Sequence, residues 1–137
     1  ATPNTKFIMG FIKLGLTGDT GSMYFLYKLL GIAKASEMLM LGDPVSGEEA
    51  YKIGLVNKLV DEDKLEEETY ALARRLADSP TQALRLMKRT LIEFFYQDLD
   101  AYSVRESQYL AQTSRTADFA EAVNSFLERR APVFTGN

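Results

Sequence analysis

Gly15-Leu16-Thr17-Gly18-Asp19-Thr20-Gly21-Ser22 sets a lone carboxylate inside a turn with three glycines in seven residues. Glycines at this spacing let the backbone enter positive φ and approach a ligand closely. The apolar run Met23-Tyr24-Phe25-Leu26-Tyr27 predicts a buried helix that begins at or just after Asp19. Two roles are open to Asp19. As a helix N-cap it would accept from unpaired amides and stabilise by about 1 kcal/mol. As a general acid/base it would carry a proton, its pKa lifted by apolar Phe11, Leu16, Met23 and Phe25, with the close approach at Gly18 admitting substrate.

Upstream of the turn, residues 1–6 are polar, contain a proline and show no period, which predicts a flexible lead-in. Phe7-Ile8-Met9-Gly10-Phe11-Ile12 reads as a short buried strand arriving at the turn. Downstream, residues 22–30 predict a helix capped by Gly31, and residues 33–41 a second one ended by Gly42-Asp43-Pro44. Ser46-Gly47-Glu48-Glu49 is a capping box that opens a short third helix stopping at Gly54. Leu55-Val56-Asn57-Lys58-Leu59-Val60 alternates as a strand would.

The remainder reads as helices. Leu65, Thr69, Leu72 and Leu76 follow helical spacing, and Ser79-Pro80-Thr81-Gln82, a capping box with proline at the first helical position, starts a helix with an apolar stripe of Leu84, Met87, Leu91 and Phe94/Phe95. Asp98 and Thr116 are the predicted caps of two more, the last turning Phe119, Val123, Phe126 and Leu127 inward. Residues 131–137 read as irregular. The fold class is mainly α with one or two short strands, and two strands cannot make an independent sheet.

Composition narrows the chemistry. The 137 residues hold no cysteine and no histidine, which excludes disulfides, thiolate nucleophiles, Ser-His triads and the usual zinc sites. Carboxylates, tyrosines, lysines and backbone amides remain. A net charge of −3, spread along the chain, gives no nucleic-acid surface. The apolar stretches fall short of the roughly 18 residues that span a bilayer, and no signal-peptide core is visible, so a cytoplasmic protein without membrane insertion is expected. Glu48 and Glu49 read as capping residues and Glu66-Glu67-Glu68 as a solvated face. Lys13, Lys28 and Lys34 stand near the turn as surface lysines or phosphate contacts.

Three pieces of sequence, taken together, resemble the crotonase (enoyl-CoA hydratase/isomerase) superfamily in its C-terminal half. They are the glycine turn; Leu41-Gly42-Asp43-Pro44-Val45-Ser46-Gly47-Glu48-Glu49-Ala50 with Gly54-Leu55-Val56-Asn57; and Asp118-Phe119 with Ser125-Phe126-Leu127-Glu128-Arg129-Arg130-Ala131-Pro132-Val133-Phe134-Thr135-Gly136. The resemblance implies the helical half of a β/β/α spiral fold. Residues 7–60 would then end the core and residues 61–137 form a helical oligomerisation region. A homo-trimer or dimer of trimers, an acyl-CoA substrate, and no cofactor beyond coenzyme A itself are also implied.

Hydratases of the family carry a Pro-Glu pair where this chain reads Gly10-Phe11, and a phenylalanine cannot activate water. An acidic residue at position 19 is similar instead to the family's isomerases, among them those acting on ring-epoxide acyl-CoA esters in phenylacetate breakdown. The resemblance thus implies Asp19 as proton shuttle, a substrate pocket of Phe11, Leu16, Gly18 and Met23, and coenzyme A contacts from Phe126 and Arg129. In the family the thioester oxygen is held by two backbone amides of an oxyanion hole that precedes this segment. The alternatives are an enoyl-CoA hydratase or acyl-CoA hydrolase using another carboxylate, and a non-catalytic helical assembly module.

Overall fold

Left-handed glycines divide the first third of the chain. The computed structural model describes all 137 residues. Gly15 (φ 66°) ends a 3-10 turn over Gly10–Leu14, and helix α1 runs Ser22–Leu41 to Gly42 (φ 64°). Within α1, Gly31 leaves the helix (φ 72°, ψ 170°), so the run is two helices meeting at a kink, as the sequence predicts. Strand β1 (Lys6–Phe7) pairs antiparallel with β2 (Val45–Ser46), Lys6 opposite Ser46 and Phe7 opposite Val45. Helix α2 (Gly47–Lys52) follows at once, and the Ser46 hydroxyl accepts from the Glu49 amide at 3.2 Å. Helices α3 (Leu65–Ala77), α4 (Thr81–Phe95), α5 (Leu99–Thr113) and α6 (Ala117–Glu128) complete the chain.

The strand expected over residues 7–12 is confined to its first residue. Beyond it, Gly15 and Leu16 donate to the carbonyls of Ile12 and Phe11 and wind the chain into the 3-10 turn. The strand expected over residues 55–60 is absent. The amides of Leu55 and Val56 both donate to Ala50 and close the end of α2, so they have nothing left for a ladder. Two expected caps also differ. Pro80 sits at the N-cap of α4, while Ser79 donates back to the Arg75 carbonyl; Asp98 makes no cap bond at α5 because Tyr24 engages its carboxylate. Thr116 does cap α6, accepting from the Phe119 amide at 3.1 Å.

The core is small: Leu26, Ala35, Met38, Val45 and Ala50, with Phe7, Met9, Leu30, Leu39, Ile53, Leu55 and Val56 against it. Beyond it, apolar faces lie open. Met87, Leu91, Phe94 and Phe95 on α4 are at least half exposed, as are Leu72 and Leu76 on α3. On α6, Val123, Phe126 and Leu127 are exposed, contrary to the inward placement expected; only Phe119 is half-buried, and Ala122 and Ser125 fill the buried positions. No helix is long and apolar enough to cross a membrane.

Residues 1–6, expected to be flexible, are tied to the rest. The Ala1 amine donates to the Lys58 carbonyl at 3.0 Å, the Val60 amide returns a bond to Ala1, and Gly47 donates to the Thr5 carbonyl at 2.8 Å. Thr2 is 3% exposed, and its carbonyl occupies the space beside Gly47 so fully that a Cβ there would stand 1.8 Å away. Gly47→Ala is therefore expected to cost about 1–3 kcal/mol, several degrees in Tm, by forcing this segment off α2. A thermal melt unchanged from the wild type would show that the contact is not made.

Candidate active site

The turn that carries Asp19 is held from outside at three points. Gly15 presses on the start of α6, where a Cβ would lie 3.2 Å from the backbone of Asp118 and Phe119. The Thr17 amide donates to the Thr113 hydroxyl (3.4 Å) and the Gly21 amide to Glu106 Oε2 (3.0 Å), both on α5. Along the turn the backbone enters positive φ repeatedly, with Gly18 at φ 134°, Thr20 at φ 56° and Gly21 at φ 73° on either side of Asp19. For Thr20, which has a Cβ, that conformation costs on the order of 1 kcal/mol, and surrounding contacts must hold it.

Asp19 is half-buried and does not cap α1. Gly21 occupies the N-cap position without a side-chain bond, and Asp19 contributes only its carbonyl, which accepts from the Ser22 amide at 3.0 Å. No hydrogen bond or ion pair within the chain engages its carboxylate.

The expected pocket residues divide into two groups. Leu16 and Met23 line a cavity of about 820 Å³, together with Ile12, Tyr27, Ile32 and Leu39. Phe11 and Gly18 lie outside that lining and pack with Met23 beneath the turn, Phe11 Cδ2 at 3.6 Å and Met23 Cγ at 3.9 Å from where a Gly18 Cβ would be. Asp19 does not line the cavity, although Thr17 and Met23 on either side of it do. Ser22 Oγ and Thr17 Oγ1, buried beside it, have no partner.

Phe126 is 77% exposed, so its ring does not pack into the core of this chain. Arg129 ends α6 in the left-handed region (φ 54°), its amide bonded to the carbonyls of Phe126 and Ser125. Phe126 stands eight residues, about 12 Å of helix, beyond the Asp118 end that meets the turn. Lys28 and Lys34 already have partners, Lys28 in Asp98 (3.6 Å) and the Tyr24 ring, and Lys34 in Glu37 (2.9 Å).

Four polar residues to which the sequence assigns no place at the site, Asp98 being expected only as a cap, gather beside the cavity. Tyr24 donates to Asp98 and Tyr102 to Glu106 Oε1 (2.7 Å), and the rings of Tyr24 and Tyr102 lie 5.1 Å apart. Burial first, then the bond to Asp98, pushes the Tyr24 phenol up to about 12. Tyr102 is raised by burial and Glu106, while Asp98 is held below the usual carboxylate range chiefly by Tyr24. The spacing of Tyr102 and Glu106, one helical turn apart, was the available signal. No group of acidic side chains converges in the manner of a metal site.

The tail after α6 closes one side of the cavity. Glu121 accepts from Arg130 Nη1 and Nη2 and from the Val133 amide (2.9 Å), while Asp118 accepts from the amides of Thr135 (2.7 Å) and Gly136 (2.9 Å). Asp118 and Phe134 thereby become part of the cavity wall.

With this geometry in place, relatives can be compared. The family described as enoyl-CoA hydratase/isomerase matches residues 1–137, and the chain belongs to it. It is 37% identical over 136 residues to the 1,2-epoxyphenylacetyl-CoA isomerase of Escherichia coli K12, an alignment covering 99% of this chain and 52% of that protein. Against a probable enoyl-CoA hydratase of Rhodobacter capsulatus the identity is 31%, over 99% and 53% of the two chains. The crystal structure of an enoyl-CoA hydratase from Mycobacterium avium subsp. paratuberculosis superposes with a TM-score of 0.92 at 29% identity, covering 98% of this chain and 55% of the other. The chain spans about half the length of these relatives, and its architecture is the C-terminal helical half of the crotonase-type fold.

The hold of Glu121 on the tail depends on pH. Arg130 first, then the Val133 amide, depresses Glu121 from its ordinary 4.5 to about 2 in the folded chain. A depressed carboxylate stabilises fully above its unfolded value and loses that contribution as pH falls through the folded one. Glu121→Gln should therefore lower Tm at neutral pH, and its deficit should shrink between pH 4.5 and 2. Parallel Tm curves for the two proteins across that window would contradict the assignment.

Proposed function

We propose that this chain carries the proton-shuttle half of an acyl-CoA isomerase, with Asp19 as the carboxylate that moves the proton. On a 3-enoyl thioester, Asp19 takes the proton from C2, and the electron pair passes through the double-bond system to the thioester oxygen as an enolate. The same carboxyl group then returns its proton to C4, and the double bond comes to lie between C2 and C3. No water is added and no redox partner is consumed. Enolate stabilisation is assigned to an oxyanion hole contributed by residues outside this segment.

The observation that carries the reading is the state of Asp19: a half-buried carboxylate with no partner inside the chain, between residues that line an apolar cavity. Phe11 supports it, since an aromatic ring stands where a water-activating glutamate would be needed, and the 37% identical relative is itself named an isomerase. Phe126 and Arg129 are assigned to coenzyme A, the exposed ring to the adenine and the guanidinium to a phosphate. A trimeric assembly, a place in phenylacetate breakdown and no cofactor beyond coenzyme A complete the proposal.

Asp19→Asn in the complete protein is expected to lower kcat on 3-enoyl-CoA by about 10²–10⁴-fold with KM near that of the wild type. Turnover at the wild-type rate would refute the role. Incorporation of solvent oxygen into the product would favour hydratase or hydrolase chemistry instead.

A further inference from the structure

We infer that Glu106 is a positioning residue for Asp19: from α5 its buried carboxylate fixes the left-handed turn and so controls proton transfer without touching substrate. The inference rests on the reading of Asp19 given above. Glu106 is 6% exposed, and no lysine or arginine pairs with it. Each of its oxygens has one donor, Oε2 the Gly21 amide at 3.0 Å and Oε1 the Tyr102 hydroxyl at 2.7 Å. A carboxylate is costly to bury without a cation, and here the compensation is dipolar, including the positive end of α1.

The amide it holds belongs to the Thr20–Gly21 peptide plane, the second plane after Asp19. Thr20 is one of two non-glycine residues in the chain at positive φ, a conformation its Cβ disfavours, so the orientation of this plane has to be held by contacts from outside the turn. Gly21 is buried, and without Glu106 its N–H would have no acceptor. On the other side of Asp19, the Thr17 amide is held by Thr113. Glu106 and Thr113 are seven residues apart, two turns of α5, and so share one face of that helix. One helix face thus grips the turn on both sides of the carboxylate. A proton carrier displaced by even about 1 Å loses on the order of 10²-fold in rate, which makes such a grip catalytically consequential.

Three proteins decide it: Glu106→Gln, Glu106→Asp and Asp19→Asn, each in the complete chain, with kcat and KM on 3-enoyl-CoA measured below its Tm. Glutamine keeps the length and an acceptor oxygen, so kcat is expected within about threefold of the wild type; aspartate is shorter by about 1.5 Å and should lose at least about tenfold in kcat with KM little changed. A positioning role therefore ranks Gln above Asp. The reverse ranking would make Glu106 itself an acid or base and overturn the inference, as would wild-type kcat in Glu106→Asp. If Asp19→Asn abolishes turnover while both Glu106 variants are fully active, this inference alone fails. If Asp19→Asn is fully active, the reading of Asp19 fails first.

Discussion

One buried contact joins parts of the chain 85 residues apart: the Gly21 amide donating to Glu106. It binds the N-cap of α1 to the middle of α5. The aromatic cluster of Tyr24, Phe25, Tyr96 and Tyr102 packs around it. The small hydrophobic core lies elsewhere, around the rear of α1 and α2, and does not reach α5. The packing of α5 on the glycine turn thus depends on polar bonds and rings rather than on aliphatic burial. Such bonds are directional, which suits a turn whose geometry matters more than its stability.

The distribution of apolar surface follows from the span of this chain relative to its family. With 14 of 137 residues buried, the chain by itself encloses little. The stripes on α3 and α4 have the period of core helices, yet most of their large side chains stay open, the α3 stripe meeting only the segment around Leu55, Val56 and Val60 across a shallow hollow. Amphipathic helices of this kind turn one apolar face toward whatever they pack on.

The legible parts of the sequence were those where a local rule suffices. The caps at Ser46 and Thr116, the break at Gly31 and the helical spacing from Leu65 onward each depend on residues within one turn of each other. The misread parts were those where a distant partner decides. Asp98 and Ser79 have the chemistry of caps but bond elsewhere. Leu55 and Val56 alternate like a strand but spend their amides on Ala50. The polar lead-in is held by Gly47 and Lys58, over 40 residues away. At the candidate site, the glycine turn and its carboxylate stood out because glycine spacing is conspicuous. Glu106 did not, because a glutamate inside a helix usually faces solvent, and only the fold shows that this one is buried.

Gly31 has a mechanical meaning. A helix of 20 residues would act as a stiff lever, passing any displacement at the glycine turn directly to the core around Ala35 and Met38. The break at φ 72° and ψ 170° interrupts the hydrogen-bond ladder midway and converts that lever into two links with a joint. The front link carries the glycine turn and sets Leu26 and Leu30 into the core, and the rear link adds Ala35 and Met38 to it. The two links can therefore meet the one core at different angles, which an unbroken helix could not do.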